Sequence, residues 1–240
     1  MNKIIRWSLG IAVLIIPLLI LAATQRAPLV PNSSGRPVKQ HVYIERNGLK
    51  PVGLEGISQD QIDDHWKLYQ GYVKNVNELN AELAQLRAQG KGSSLVYADR
   101  RRRYGFEYNG MVLHEYYFEN LGKPTDLDLK NEVSIDLRRA IERDFGSYDA
   151  WKQDFENTGK TRGIGWALLV VDTATDQLLN LFVEDHQTNN IAGFKVLLAM
   201  DVWEHAYMVD HQAGGRGDYI TAFVKNINWD VVNKRHLEHT

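Results

Sequence analysis

The heptapeptide Asp201-Val202-Trp203-Glu204-His205-Ala206-Tyr207 constrains this chain more than any other stretch. Asp201 and His205, a hard oxygen donor and an imidazole nitrogen, stand four residues apart among apolar and aromatic neighbours. The run before them, Val196 to Met200, is apolar and short enough to be a buried strand that carries Asp201 into the interior. An unpaired charge buried there is costly, and a metal ion removes that cost. The plainer alternative is an Asp/His pair at the end of an element, each satisfying the other. The chain has no cysteine, so any metal site must be built from histidine and carboxylate. Disulfides, thiolate sites and iron–sulfur clusters are excluded on the same ground.

At 240 residues, 44% hydrophobic and 24% charged, the chain is long and apolar enough for one large or two small globular domains. A net charge of -2 argues against a nucleic-acid partner, which selects a basic stripe. The first residues read as a targeting segment. Lys3 and Arg6 precede an apolar run from Trp7 to Ala23, long for a signal core and slightly short for a membrane span. Residues 1–23 are therefore a secretory signal or an uncleaved anchor, and the remainder is expected to be exported, periplasmic or extracellular. Residues 24–53, with Pro28, Pro31 and Pro37, read as an extended tether.

Ser58-Gln59-Asp60-Gln61 fits a capping box, and a long helix is expected to follow to about Gln89. Its inward seam is His65, Tyr69, Tyr72, Val76, Leu79, Leu83 and Leu86. Arg100 to Arg103 reads as a solvated linker or helix end, the alternative being a run that attracts small anions. A second helix, Met111 to Leu121, carries His114 with Tyr117 and Phe118. The two form an antiparallel helical hairpin, residues 54–122. Residues 123–235 then read as an α+β domain. Its elements are helices Leu129 to Phe145 and Tyr148 to Asn157, three antiparallel strands (Ala167 to Asp172, Leu178 to Val183, Val196 to Asp201) and a closing helix, Tyr219 to Val224. Residues 236–240 read as a tail, and any metal would lie between the two halves.

Of eight histidines, His41, His211, His236 and His239 read as bland. His65, His114, His186 and His205 remain, with Asp201. Three His and one Asp make a mixed nitrogen/oxygen set suited to iron, manganese or zinc rather than calcium or magnesium.

The heptapeptide resembles the metal signature of the iron/manganese superoxide dismutases. His65 to Asn77 (HWKLYQGYVKNVN) resembles the first-helix motif of that family, and Tyr108 to His114 (YNGMVLH) followed by Tyr117-Phe118 resembles its second. Gly163-Ile164-Gly165-Trp166 resembles its first-strand motif, and Asp218-Tyr219-Ile220 with Asn228-Trp229 its end. Order and spacing agree from about Leu54 to Asn233.

The resemblance implies four ligands, His65, His114, Asp201 and His205, around one iron or manganese ion per subunit, with solvent as a fifth. It implies dismutation of superoxide. It implies a Gln or His side chain bonded to that solvent; since Gly110 stands where many iron enzymes carry Gln, His186 is favoured here, then Gln187. Trp203, Trp166 and Phe118 match pocket walls, while Ile164 replaces a frequent Trp. The substrate gate falls on Tyr69 and, one residue short of the usual spacing, Tyr72. Glu204 matches a dimer contact, implying a homodimer through the metal-site face. Two other readings of the same scaffold are a metal-dependent hydrolase, for which no added base is evident, and a non-enzymatic metal-binding domain.

Overall fold

A serine opens each of the first long helices. The structure, a computed structural model, describes residues 42–124, 132–188, 190 and 192–238. The apolar N-terminal run, residues 24–41 of the arm, His41 and His239 lie outside the described residues. Helix α1 spans Gln59–Ala88, and the Ser58 hydroxyl accepts the Gln61 N–H at 3.1 Å. The reciprocal half of the expected capping box is absent, because the Gln61 side chain reaches instead to the backbone beyond His205. The expected seam is largely inward: His65, Tyr69, Val76, Leu79 and Leu83 are buried, while Tyr72 and Leu86 are half-buried.

Helix α2 spans Leu95–Glu119, sixteen residues longer at its start than the expected helix from Met111. Ser94 caps it, accepting the Tyr97 N–H at 3.2 Å. Arg100 to Arg103 thus lie inside a helix rather than in a linker or at a helix end. They are held there by ion pairs, Arg100 to Glu82 at 2.7 Å and Arg103 to Glu107 at 2.6 Å. Cross-helix contacts run Glu82–Arg100, Asn75–Glu107 and His65–His114, so α1 and α2 are an antiparallel hairpin.

Residues 42–53 depart from the tether reading. Tyr43 exchanges two 2.9 Å hydrogen bonds with the Asn77 side chain, the Arg46 N–H donates to the Tyr69 hydroxyl at 3.0 Å, and Lys50 pairs with Asp63 at 3.0 Å. The segment is a strap running antiparallel to α1. It packs because Tyr43 and Leu49 are partly buried and Pro51 is fully buried.

Helix α3, Ile135–Phe145, begins at its cap Ser134, later than expected; residues 125–131 are outside the described residues. Helix α4 is Tyr148–Gly159. The sheet follows in the expected places: β1 Gly165–Asp172, β2 Leu178–Glu184 and β3 Phe194–Asp201, ordered β2-β1-β3 and wholly antiparallel. The apolar run of β1 makes it the central strand, buried along its length except at Asp172. Gly165 opens it at φ +151, where a Cβ would meet the Val183 carbonyl oxygen at 2.0 Å, so no other residue fits.

Three helices finish the chain: α5 Met208–His211, α6 Arg216–Lys225 and α7 Trp229–Leu237. Helix α7 replaces the end of the expected domain and the start of the expected tail. It buries Trp229, Val232 and His236, so His236 is a core residue rather than a tail residue. Arg235 ties α7 inward, donating to the Leu197 carbonyl at 2.9 Å and pairing with Glu119 at 2.7 Å. The described residues all belong to one compact unit, an α+β fold with the hairpin packed on β3.

Candidate metal centre

Four elements each deliver one donor atom to the same point. His65 lies on the second turn of α1 and His114 on the facing side of α2, and their rings meet edge to face at 4.9 Å. Asp201 is the last residue of β3, paired with Trp166 at the start of β1. His205 sits in the short 3-10 turn Glu204–Ala206 that follows. The Asp201 Oδ1 accepts the Trp203 N–H at 2.9 Å, which turns Oδ2 toward the imidazoles. Nε2 of His65 and Nε2 of His205 each lie 3.1 Å from Oδ2, and Nε2 of His114 lies 3.7 Å from it. The four donor atoms are all within 4.8 Å of one another. Donors about 2.1 Å from one ion stand roughly 3–4 Å apart, so the spacing to Oδ2 fits a shared cation.

The His114 ring supplies the test of that fit. Its Nδ1 lies 2.6 Å from the Gly110 carbonyl, which can only accept, so Nδ1 carries the proton. Nε2 is therefore a bare lone pair, fully buried and without a hydrogen-bond partner, facing the other three donors. Burial pushes the His65 imidazole below its ordinary pKa, with the Asp201 hydrogen bond pulling the other way. Burial drives His114 well below, with His65 adding to the effect. For Asp201 burial works upward, but His205 and His65 outweigh it and hold the carboxyl far below the usual range. Neutral imidazoles around an ionised carboxylate are the protonation states that a bound cation requires.

A second layer holds these groups in place. The Gln61 side chain donates to the His205 carbonyl at 2.7 Å and accepts the Val209 N–H at 3.0 Å, joining α1 to the turn that carries His205. The Tyr219 hydroxyl donates to the Asp201 carbonyl at 2.7 Å. Trp166 Nε1–H donates to His186 Nδ1 at 2.9 Å, so His186 Nε2 carries the proton and donates to the Tyr72 hydroxyl at 2.7 Å. His186 is fully buried, and that burial lowers its pKa from 6.5 to about 4, with the Asp201 charge opposing. The Tyr72 phenol is raised by burial, with Asp201 and Glu107 adding. Gly110 makes room for Tyr72: a Cβ there would lie 2.6 Å from the Tyr72 ring. The Trp203 ring stacks on His186 at 4.9 Å and on His205 at 5.6 Å; Phe118 packs on His65 at 5.1 Å.

Other expected residues lie apart from this group. Gln187 is exposed and approaches Gly105 of α2. Tyr69 is buried, but its hydroxyl points to the strap, accepting from Arg46 N–H and donating to Glu115 at 3.0 Å. Glu204 is exposed and Ile164 half-buried. Gln61, Tyr219 and Phe106, whose ring lies 4.6 Å from His186, were not singled out by the sequence as site residues. Gln61 had a signal, since it precedes His65 by one helical turn on the same face, but the capping motif claimed it.

Residues 133–235 match the family model for the C-terminal domain of iron/manganese superoxide dismutases. Similar curated proteins extend the match across the hairpin. One named superoxide dismutase (Fe) from Aquifex aeolicus is 37% identical over 200 residues, covering 81% of this chain and 91% of the relative. One from Methanothermobacter thermautotrophicus, also named superoxide dismutase (Fe), is 36% identical over 181 residues, covering 75% and 86%. One named superoxide dismutase (Mn) 2 from Haloferax volcanii is 37% identical over 193 residues, covering 80% and 91%. With a fold of helical hairpin and three-stranded antiparallel sheet, and relatives covered over 86–91% of their length, the chain belongs to the iron/manganese superoxide dismutase family.

Proposed function

We propose that this protein dismutes superoxide to oxygen and hydrogen peroxide at one iron or manganese ion per subunit, held by His65, His114, Asp201 and His205. The observation that carries this reading is the bare, buried Nε2 of His114 facing three other donor atoms. A neutral imidazole trio with one carboxylate suits an ion that alternates between +3 and +2, taking an electron from one superoxide and returning it to the next. The protein's own part is to seat the small anion and to supply protons. His186 is inward where Gln187 is outward, and with its ring nitrogens engaged by Trp166 and Tyr72 it would act on the ion's surroundings through that chain of hydrogen bonds. It holds its proton at Nε2 and gives it to the Tyr72 oxygen in a hydrogen bond. That leaves the Tyr72 O–H free to donate elsewhere, and burial keeps the phenol protonated at neutral pH. Tyr72 is thus the gate and proton donor. Tyr69, engaged with Arg46 and Glu115, serves the scaffold.

The same proposal includes export, with residues 1–23 as a signal or retained anchor, supported by Lys3 and Arg6 before the apolar run. It includes a homodimer through the metal-site face, supported by the exposed carboxylate of Glu204 beside His205. The decisive experiment is metal analysis of the purified protein together with a superoxide-dismutation assay after loading with iron or with manganese. Activity that follows metal content, and the loss of both in His114→Ala, is the expected result. Full metal and full activity in His114→Ala would overturn the ligand assignment; metal binding without dismutation would leave only a metal-binding domain.

A further inference from the structure

The far end of the hairpin has the makeup of a surface that meets something. Between residues 85 and 103 there are six basic side chains, Arg87, Lys91 and Arg100 to Arg103, against a single acid, Asp99, in a chain whose net charge is -2. Arg100 and Arg103 are committed to Glu82 and Glu107, while Arg102, 73% exposed, meets Asp99 at 3.2 Å on the surface. Arg87 and Arg101 instead converge on the neutral Tyr97 hydroxyl, at 3.4 Å and 3.2 Å, and draw its pKa down, Arg87 first. Among these cations two aliphatic side chains stand in solvent, Leu95 at 89% exposure and Val96 at 50%. Helix α2 buries nothing before Glu107, and none of its residues from 95 to 103 packs against the core.

The strap gives the direction of the chain. From Lys50 beside Asp63 to Tyr43 beside Asn77 it climbs α1 by fourteen helical residues, about 21 Å. Asn77 is then about 16 Å short of the helix end at Ala88. The described chain therefore heads toward the hairpin tip. Residues 24–41, which span at most about 60 Å, connect it to the apolar run Trp7 to Ala23.

We propose that the hairpin tip, residues 87–102, docks on an anionic phospholipid surface, with Leu95 and Val96 entering the headgroup layer and Arg87, Lys91, Arg101 and Arg102 neutralising lipid charge. The proposal rests on the reading of residues 1–23 as a retained anchor. Basic groups near an anionic bilayer strengthen adsorption, and apolar side chains among them insert at the interface. A second copy of the tip is the poorer occupant, because it would bring like charges together. Docking would stand the hairpin on the membrane and hold the candidate metal centre, near His65, about 35 Å away from it along α1.

The absence of cysteine makes the test direct, because a single introduced cysteine is a unique label. Full-length Ser93→Cys and, as a control on the β1–β2 turn, Ala174→Cys would carry a fluorophore. Each would be mixed with phosphatidylcholine vesicles, with or without phosphatidylglycerol, that contain a headgroup-level nitroxide quencher. The expected result is strong quenching at position 93 that grows with phosphatidylglycerol, none at 174, and loss of the phosphatidylglycerol dependence on adding Lys91→Glu with Arg102→Glu while dismutation is unchanged. Flotation with vesicles but no quenching at position 93 overturns the docking and leaves the anchor reading standing. No flotation with either vesicle overturns both. A doubled mass and a protected position 93 without vesicles assigns the tip to a second copy and also overturns the proposal.

Discussion

At the scale of single residues, the pair His186 and Gln187 separates two roles that adjacent positions in the sequence left open. His186 is buried between Trp166 and Tyr72, and Gln187 is exposed. His186→Ala is expected to keep the four ligands and near-normal metal content while activity falls about 10–100-fold, the usual consequence of removing a partner from the outer layer of a metal site. Gln187→Ala should be close to silent. Metal analysis and steady-state assays on both variants check this, and the reverse pattern would make Gln187 the solvent's partner. Tyr72→Phe removes the hydroxyl that accepts the His186 hydrogen bond. Its deficit should be small at low superoxide and grow at high superoxide, where proton supply limits; pulse radiolysis at several doses reads that difference. An equal loss at every dose would mean that Tyr72 acts through packing rather than as a proton donor.

At the scale of elements, the antiparallel hairpin works only because α1 and α2 approach closely at Gly110. Gly110→Ala would put a methyl 2.6 Å from the Tyr72 ring. Overpacking of this kind costs about 1–3 kcal/mol, and moving Tyr72 should also break its bond to His186. The expected result is a lowered Tm together with the Tyr72→Phe dose dependence; a variant with both unchanged would show that the ring has room to move. Much of this architecture was legible in the sequence. The seam of α1 is strongly periodic, and the three strands are continuous apolar runs between turn residues. The first half of α2 was not legible, because nothing in it before Glu107 is buried. A helix held by ion pairs and a serine cap, with four arginines in succession, has no apolar stripe to read. The strap was hidden for a different reason. Tyr43 and Asn77 recognise each other across 34 residues of sequence, which no local pattern records. The ligands were legible as motifs, whereas Gln61 and Tyr219 act through backbone carbonyls that the sequence does not mark.

For the whole molecule, burying several imidazoles in neutral form sets an acid limit. His186 drops from 6.5 to about 4, and His65 and His114 are also lowered, in each case chiefly by burial. Below about pH 6.5 the unfolded chain takes up protons that the folded chain refuses, so this contribution to stability is complete above that pH. It falls away as the pH drops toward about 4. For His186 alone the loss is at most roughly 3 kcal/mol. The Asp201 carboxylate, held below its ordinary range, shifts stability in the same direction at still lower pH. Urea midpoints of the metal-free protein should be flat above pH 7 and decline steadily from 6.5 to 4. A flat profile across that window would contradict the neutral, buried state of these rings.

The Gln61 side chain links the helix of His65 to the turn of His205, and behind it His65, His114 and Asp201 have no solvent exposure. Only His205, at 20% side-chain exposure, opens the group of four to solvent, so exchange of an ion would be slow. An ion can leave only when the linkage opens, and local openings of a packed core are rare. On this basis the bound metal would reflect which ion was in supply while the chain folded, rather than a running equilibrium with its surroundings. Protein refolded with manganese should keep manganese for days at room temperature under an excess of ferrous iron, and give it up only on warming toward the unfolding transition. Gln61→Ala should shorten that retention without changing the ligands.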